Sequence, residues 1–244
     1  MRPFRDRREA GRLLAERFDA YAANPDVIVL GLPRGGVPVA YEIATRLGVP
    51  LDVLVVRKLG VPGRPELAMG AIASGGVRVA DPRVLHMYGV TREQFEAIEN
   101  RERAELVRRE RTFRGDRPPL QLAGKTVILV DDGLATGASM AAAIDAVRAH
   151  EPARIIGAVP VAPQDTCEAL KDRADEMMCL VMPSRMYSVG GWYEDFTETE
   201  DAEVRSLLER ASLTGPSDTS PDTRRPPSEA FAPAARGRAS DRGG

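Results

Sequence analysis

The sequence predicts an α/β protein built on a doubly wound parallel sheet. Short aliphatic and β-branched runs alternate along the chain with segments whose apolar residues recur at helical spacing, and this order is typical of parallel strands joined by covering helices. Glycine-rich loops follow two of the runs, at the position where open α/β sheets bind ligands. A chain of 244 residues is long for one domain but short for two. We therefore expect one domain over residues 1–210.

The first part of the chain predicts a strand–helix–strand unit behind an opening helix. Apolar residues at helical spacing predict a helix over 6–21, which ends before an Asn-Pro pair. An aliphatic run predicts a strand at 27–31. A glycine–proline loop then leads into a helix that ends near residue 47, and a β-branched run predicts a second strand at 51–56.

The middle of the chain is less regular, and repeated strand–loop–helix units follow it. Residues 57–81 are rich in glycine and are predicted to be irregular, apart from a short hairpin over 71–80. The highly charged segment 91–113 is predicted to form a long, mostly exposed helix capped by Thr91. The remaining strands are expected at 125–130, 154–161 and 176–182, and the remaining helices at 138–150, 163–173 and 201–209.

Composition excludes several classes of protein. A hydrophobic fraction of 43% and a formal net charge of -2 indicate an ordinary core and argue against nucleic acid as a partner. The cations of 101–114 are interleaved with glutamates, which favours a solvated helix over a nucleic-acid surface. No run approaches ~18 apolar residues, so no membrane association is expected.

Cysteine usage and the chain ends complete the compositional picture. Cys167 and Cys179 lack a second pair or a histidine cluster, so both are expected to be small buried hydrophobic residues rather than a disulfide or a zinc site. Residues 1–17 are charged and lack the apolar core of a signal peptide. A cytoplasmic location is the expectation. Residues 211–244 are dominated by Pro, Gly, Ser, Asp and Arg, which predicts a disordered tail.

The most informative segment is 127–140. An aliphatic strand leads into Asp131 and Asp132, and a loop of small residues then opens a helix. Backbone N–H groups and hydroxyls of that loop would form an anion-binding nest, reinforced by the helix dipole. Two carboxylates beside a phosphate would repel it unless they face hydroxyls or a cation, so a ribose 5-phosphate suits the segment. The loop residues expected to form this nest are Thr136, Gly137, Ala138 and Ser139.

Two further segments predict contacts to a second anion. Arg34, Gly35 and Gly36 follow the first strand; the glycines permit close approach of the backbone, and the arginine offers a bidentate donor for phosphate. Arg57 and Lys58 follow the second predicted strand in a loop punctuated by Gly and Pro. Such a loop could close over a site and neutralise a departing anion.

The segment 127–140 resembles the PRPP-binding motif of type I phosphoribosyltransferases, where PRPP is 5-phosphoribosyl-1-pyrophosphate. The resemblance implies the fold of that family, with PRPP as substrate and Mg²⁺ as cofactor. It implies that Asp131 and Asp132 contact the ribose hydroxyls, and the metal indirectly through ribose or water. It further implies that Ala135–Ser139 hold the 5-phosphate and that residues 34–36 hold the pyrophosphate.

Weaker resemblances concern the catalytic loop and the acceptor. Arg57 and Lys58 are similar to the Arg-Lys-x-Gly stretch of adenine phosphoribosyltransferases, although the aromatic and acidic residues that follow it there are absent. Residues 187–196 are similar to the Val-Gly and aromatic segment of hypoxanthine-guanine enzymes. That likeness implies a small hood at about 183–200, to which the N-terminal helix could contribute. The implied base contacts are Tyr187, Val189, Trp192 and Asp195.

The implied function is transfer of the phosphoribosyl group to a nitrogen acceptor, a purine-like nucleobase, as in nucleotide salvage. The catalytic residues would be Asp131, Asp132, Arg57 and Lys58. Two alternatives stay open: a PRPP-sensing regulatory protein that transfers nothing, and hydrolysis or another transfer on a related compound. Homodimers are common in the family, but the sequence does not establish one, and it does not name the acceptor.

Overall fold

The computed structural model describes residues 2–214 as an α/β protein with two sheets. Short 3₁₀ helices occur at Glu16–Tyr21, Ser74–Gly76 and Gly190–Trp192. The strands are β1 (Val27–Gly31), β2 (Leu51–Val53), β3 (Val56–Val61), β4 (Arg64–Ala73), β5 (Val77–Ala80), β6 (Thr126–Val130), β7 (Arg154–Val161) and β8 (Glu176–Val181). The helices are α1 (Arg7–Ala15), α2 (Gly36–Leu47), α3 (Pro82–Met87), α4 (Arg92–Arg114), α5 (Ala138–Arg148), α6 (Gln164–Leu170) and α7 (Asp201–Thr214).

The central sheet has five parallel strands in the order β2-β1-β6-β7-β8. Successive side chains of a strand point to opposite faces, and both faces are covered. Val29 and Ile128 pack with residues of α1, α2 and α7, whereas Leu30 and Leu129 pack with residues of α5 and α6. The predicted doubly wound parallel sheet is confirmed, and the carboxyl ends of β1 and β6 lie side by side within it.

The second sheet is antiparallel, in the order β3-β4-β5. The predicted hairpin over 71–80 is confirmed and turns through Ser74–Gly76, but the prediction of irregular structure from 57 to 70 is wrong. The glycines suggested irregular structure, but they occur here because the two strand backbones approach closely. A Cβ on Gly60 would lie 2.6 Å from the carbonyl oxygen of Pro65. Leu59 and Met69 are fully buried and anchor the hairpin to the core.

The long helix α4 begins at the predicted cap, with a capping box between Thr91 and Gln94. It is less exposed than predicted, because Phe95, Leu106 and Phe113 are buried in the main core. Charged residues of the helix form ion pairs with one another, as between Glu105 and its neighbouring arginines at 2.7–2.8 Å. The short helix α3, which precedes α4, was not predicted.

Cys167 and Cys179 are both buried, as predicted, but they form a disulfide, which corrects the expectation of free thiols. No cysteine in residues 2–214 is free. Cys167 lies on α6 and Cys179 on β8, twelve positions apart. Amino-acid composition could not show that the two cysteines are close in space, because they meet only when α6 packs beside the edge strand β8.

The C-terminal helix α7 is longer than predicted and reaches Thr214. Val204, Leu207 and Leu208 are buried against the main core, and Arg117 donates to the carbonyl of Leu208 at 2.6 Å. Residues 211–214 therefore belong to this helix and not to the predicted tail, and the prediction of disorder for 215–244 falls outside the described residues. Among the described helices, none is both long enough and apolar enough to cross a membrane.

Candidate active site

Two adjacent carboxylates lie at the carboxyl end of β6. The strand itself is almost fully buried, and hydrogen bonding continues past its end, where the Asp131 N–H donates to the carbonyl of Ala158 at 3.3 Å. The Asp132 N–H donates to Asp131 Oδ1 at 2.9 Å. Both side chains are partly buried. A buried, doubly paired strand therefore fixes the backbone from which both acids project.

The loop after β1 packs directly against these acids. The Leu32 N–H donates to the carbonyl of Val130 at 2.8 Å. A Cβ on Gly36 would lie 2.5 Å from that carbonyl oxygen and 2.8 Å from Asp131 Cα, and a Cβ on Gly35 would overlap the carboxylate of Asp132. The peptide between Pro33 and Arg34 is cis. At Gly36 the close neighbours are backbone atoms, so only glycine fits there, whereas a side chain at Gly35 would displace the carboxylate of Asp132. The structure thus brings together the two loops that the sequence predicted to bind parts of one ligand.

Arg34 is turned toward the start of α7. Its guanidinium pairs with the carboxylate of Glu198 and lies 3.6 Å from a carboxylate oxygen of Asp201. The side chain is part-exposed. The predicted phosphate donor is therefore held by acids of the same chain, and it would have to exchange these partners to reach an anion.

The loop from 134 to 137 leads into α5. The Leu134 N–H donates to the carbonyl of Val161 at 2.9 Å, and Gly137 adopts the left-handed conformation with φ 71°. Within the described part of the chain, the N–H groups of Ala135, Thr136 and Gly137 have no protein acceptor. Ser139 follows in the first turn of α5. A cavity of about 460 Å³ adjoins this loop, and its lining includes Thr136, Gly137, Ala138, Thr166 and Arg173.

Arg7, the first residue of α1, contacts the site from 125 positions away in sequence. Its Nε donates to Asp132 Oδ2 at 2.7 Å, and one of its terminal nitrogens donates to the carbonyl of Thr197 at 2.7 Å. The guanidinium carbon lies 3.9 Å from the centre of the Phe196 ring. No sequence motif pointed to this residue, because ion pairs between distant segments leave no local pattern.

Burial and mutual repulsion disfavour two negative charges here. Burial raises the pKa of Asp131 well above its ordinary value, and the neighbouring Asp132 raises it further. Burial also raises the pKa of Asp132, although the hydrogen bond and the charge of Arg7 oppose this effect. The ionised pair would be favoured by a cation or by hydroxyl donors placed against it.

Arg57 and Lys58 lie on β3 rather than in a loop, which corrects the prediction for this segment. Arg57 donates to Glu102 of α4 at 2.5–3.0 Å. Both basic residues line a cavity of about 500 Å³, together with Glu66 at the exposed tip of the β3–β4 hairpin. The described structure shows no hydrogen bond or ion pair from either of them to the acids of β6.

The segment predicted to contact a base lies beside the acids, but its four predicted contact residues do not face one common space. Tyr187 is 97% exposed, and Asp195 accepts hydrogen bonds from Thr197. Val189 packs near Gly133, where a Cβ would lie 2.6 Å from the valine methyl. Trp192 is partly buried and its carbonyl accepts from the Phe4 N–H at 2.8 Å. The four predicted residues do not gather into one of the cavities found in the described chain.

Tyr193, which the sequence did not single out, reaches the site instead. Its hydroxyl donates to the backbone carbonyl of Asp132 at 2.6 Å, and burial raises its pKa. Its ring packs against Phe196, with centroids 5.0 Å apart. Several aromatic residues were visible in this segment of the sequence, but which of them would face the acids depended on the path of the chain after β8.

The two carboxylates at the end of β6 suit a magnesium ion whose other ligands are waters and substrate oxygens. No group of three His, Cys, Asp or Glu side chains that could hold a metal occurs in residues 2–214. Mg²⁺ nevertheless needs only one or two carboxylates, because it keeps several waters and completes its shell with substrate phosphates. Asp131 and Asp132 provide two adjacent carboxylates of this kind at the end of the strand.

Fold and site together define an α/β protein with a candidate ligand site at the carboxyl edge of a parallel sheet. The chain belongs to the phosphoribosyl transferase domain family, whose model matches residues 6–192. The family resemblance seen in the sequence is thereby confirmed.

Comparison with known proteins identifies similar chains in two bacteria. Two sequences of Mycobacterium tuberculosis, strains CDC 1551 / Oshkosh and ATCC 25618 / H37Rv, are each 47% identical over 211 residues. They are named "Putative phosphoribosyl transferase MT0597" and "Putative phosphoribosyl transferase Rv0571c". The match covers 86% of this chain but 47% of each relative, so the chain spans about half their length. The crystal structure of TT1426 from Thermus thermophilus is 46% identical, with a TM-score of 0.79 over 86% of this chain and 99% of that one.

Proposed function

We propose that this chain transfers the 5-phosphoribosyl group of PRPP to a nitrogen acceptor, a purine-like nucleobase, and releases pyrophosphate. The observation that carries the proposal is the contact between the Gly35-Gly36 turn and the paired acids Asp131 and Asp132. PRPP carries a diol between two phosphate groups. The acids, the turn and the 135–139 loop would each meet one of these parts.

In the proposed reaction, a nitrogen lone pair attacks C1 of the ribose while the bond from C1 to the pyrophosphate oxygen breaks. The electron pair of that bond leaves with pyrophosphate, and the acceptor nitrogen loses a proton to solvent or to the leaving group. Asp131 and Asp132 would hold the ribose hydroxyls, and free N–H groups from Ala135 to Gly137 in the described chain would hold the 5-phosphate. Positioning and electrostatics would supply most of the acceleration.

Magnesium would be held at Asp131 and Asp132 through ribose oxygens or water. When bound, it would supply charge neutralisation for the departing pyrophosphate. The carboxylates themselves would orient the sugar and stay ionised in the presence of the cation, because a nearby positive charge favours their charged form.

The β3–β4 hairpin is proposed to close over the site and bring Lys58 to the leaving group. Its tip, residues 62–66, is exposed, and Gly63 turns with φ 74°. Arg57 would have to exchange its partner Glu102 in the same movement. Lys58→Met is therefore expected to lower kcat by about 100-fold, as for the loss of one stabilising donor in a transition state, with little change in PRPP affinity.

Steady-state pyrophosphate release measures this effect, with Lys171→Met as a control for loss of an exposed lysine. Lys171 follows α6 and is exposed. An unchanged kcat in Lys58→Met would remove the lysine from the proposed mechanism.

The purine-like acceptor is proposed from the resemblance of residues 187–196 to hypoxanthine-guanine enzymes. Trp192 and Val189 pack in the same cluster as Tyr193, which contacts Asp132. A base would have to displace water rather than protein to stack on Tyr187, because that side chain is exposed.

The experiment that tests the proposed function is pyrophosphate release from PRPP and Mg²⁺ in the presence of single nucleobases. Release with one base is the expected result and names the acceptor. PRPP binding without release from any nucleobase or simple amine would overturn the transferase proposal in favour of the sensing alternative.

A further inference from the structure

Arg7 is buried among three partners that belong to two separate parts of the chain. Only 11% of its side chain is exposed. It donates to the carboxylate of Asp132, donates to the carbonyl of Thr197, and lies over the ring of Phe196. A buried guanidinium with this many directed contacts cannot be a solvated surface charge.

We propose that Arg7 is a positioning residue of the transferase: it fixes the carboxylate of Asp132 and couples the sugar-binding acids to the docking of the N-terminal segment on residues 192–197. This inference rests on the proposed function. It assigns a role at the site to a residue that lies outside the loops of β1 and β6.

The two carboxylate oxygens of Asp132 have different hydrogen-bond partners, which is the first support. Oδ2 accepts from Arg7 at 2.7 Å. No other residue in the described part of the chain donates a hydrogen bond to Oδ1. An anchored carboxylate with one open oxygen is suited to accept a ligand hydroxyl in a fixed direction, whereas a free carboxylate would lose rotational freedom on binding.

The second support is the connection between the N-terminal segment and residues 192–197. The Phe4 N–H donates to the carbonyl of Trp192 at 2.8 Å, and the Glu194 N–H donates back to the carbonyl of Phe4 at 2.7 Å. The rings of Phe4 and Tyr193 lie 5.5 Å apart. These contacts place the two segments in one unit next to the acids.

The same unit holds Asp132 at two points. Tyr193 donates its hydroxyl to the backbone carbonyl of Asp132 at 2.6 Å, while Arg7 holds the side chain. Displacing the unit would release both the backbone and the carboxylate of this one residue. Docking of the N-terminal segment and the orientation of the Asp132 carboxylate are therefore coupled.

The third support is the choice of arginine. Its nitrogens reach two separate acceptors, and its guanidinium carbon lies over the Phe196 ring, 3.9 Å from the ring centre. A lysine ammonium could keep the charge beside Asp132 but could not also satisfy Thr197 and stack on the ring. The arrangement fits a residue that fixes orientation as well as charge.

The test compares Arg7→Met, Arg7→Lys and the control Arg12→Met in the full chain. Arg12 lies on the same helix and makes an exposed ion pair with Glu42 at 3.7 Å. We expect Arg7→Met to raise the PRPP dissociation constant, measured with Mg²⁺, by about tenfold or more, because one hydrogen bond to a charged group is worth roughly a factor of ten. Arg7→Lys should fall between Arg7→Met and the wild type, and Arg12→Met should bind as the wild type does.

Steady-state kinetics separates positioning from a general loss of folded protein. Arg7→Lys should raise KM for PRPP and leave KM for the acceptor unchanged, whereas a smaller folded fraction would lower the apparent kcat and alter neither KM. If Arg7→Met does not fold, Arg7→Lys decides the outcome by the same comparison. A PRPP affinity in both variants equal to that of the wild type would overturn the role of Arg7 alone.

A second measurement shows whether Arg7 acts through Asp132. In an Asp132→Ala background, Arg7→Met should change PRPP affinity less than it does in the wild type, because no side chain is left at position 132 for Arg7 to fix. Equal effects in both backgrounds would overturn the proposed route. Failure of the wild type to bind PRPP would overturn the proposed function itself, and the role of Arg7 with it.

Discussion

The combined variant Asp131→Asn with Asp132→Asn is expected to lose PRPP binding by at least about 100-fold, since hydrogen bonds to charged groups are each worth roughly 1.5–3 kcal/mol. Both acids would accept from ribose hydroxyls, and an amide cannot accept through both of its terminal atoms. The loss of two charges would also remove the attraction for Mg²⁺. Calorimetric titration with PRPP and Mg²⁺ measures the effect.

The fold of this double variant should survive. Burial and mutual repulsion already disfavour the two charges, and the amide oxygen at position 132 can still accept from Arg7. Circular dichroism and a melting curve check this point. Asp19→Asn is a matched control because Asp19 lies outside the site and pairs with exposed Arg46 at 2.7 Å. Affinity equal to that of the wild type in the double variant would contradict the assigned site.

The variant Gly36→Ala is expected to disrupt the site by steric overlap. Its Cβ would lie 2.5 Å from the carbonyl oxygen of Val130 and 2.8 Å from Asp131 Cα. Both neighbours are backbone atoms, so the ends of β1 and β6 would have to separate, at a cost of about 1–3 kcal/mol. PRPP affinity should fall by about tenfold or more, because the loops proposed to hold pyrophosphate and ribose would no longer have the spacing that one ligand needs.

Gly48→Ala separates this effect from a general loss of stability. Gly48 ends the same helix, α2, with φ 65°, and a methyl group placed there would have no neighbouring atom within 4 Å. Alanine at this position should cost ~1 kcal/mol through backbone strain and leave PRPP affinity unchanged. Melting curves and PRPP titrations on both variants provide the comparison. Equal loss of affinity in the two would contradict a specific role for the contact between the loops.

The parts of the fold that follow from local pattern were predictable from the sequence. The strand at β6, the acids after it and the small residues opening α5 all lie within fourteen consecutive positions. Their contributions depend on neighbours along the chain, so periodicity and loop chemistry were sufficient. The same holds for α4, whose cap at Thr91 is a local motif.

The parts that depend on distant contacts could not be predicted in this way. The strands β3 and β4 contain glycines because their backbones approach closely, and composition alone made the segment look irregular. Arg7 meets Asp132 across 125 positions, and Tyr193 rather than Trp192 reaches the acids because of the path taken after β8. Each of these features is decided by packing between elements rather than by a local pattern.

Calorimetric titration of the wild-type chain with PRPP, with and without Mg²⁺, tests the central claim most directly. We predict binding at a single site per chain that is strengthened by Mg²⁺ and competed by ribose 5-phosphate and by pyrophosphate, because each would occupy one part of the site. The absence of PRPP binding, or binding that neither fragment displaces, would contradict the assignment of these loops to one phosphoribosyl ligand.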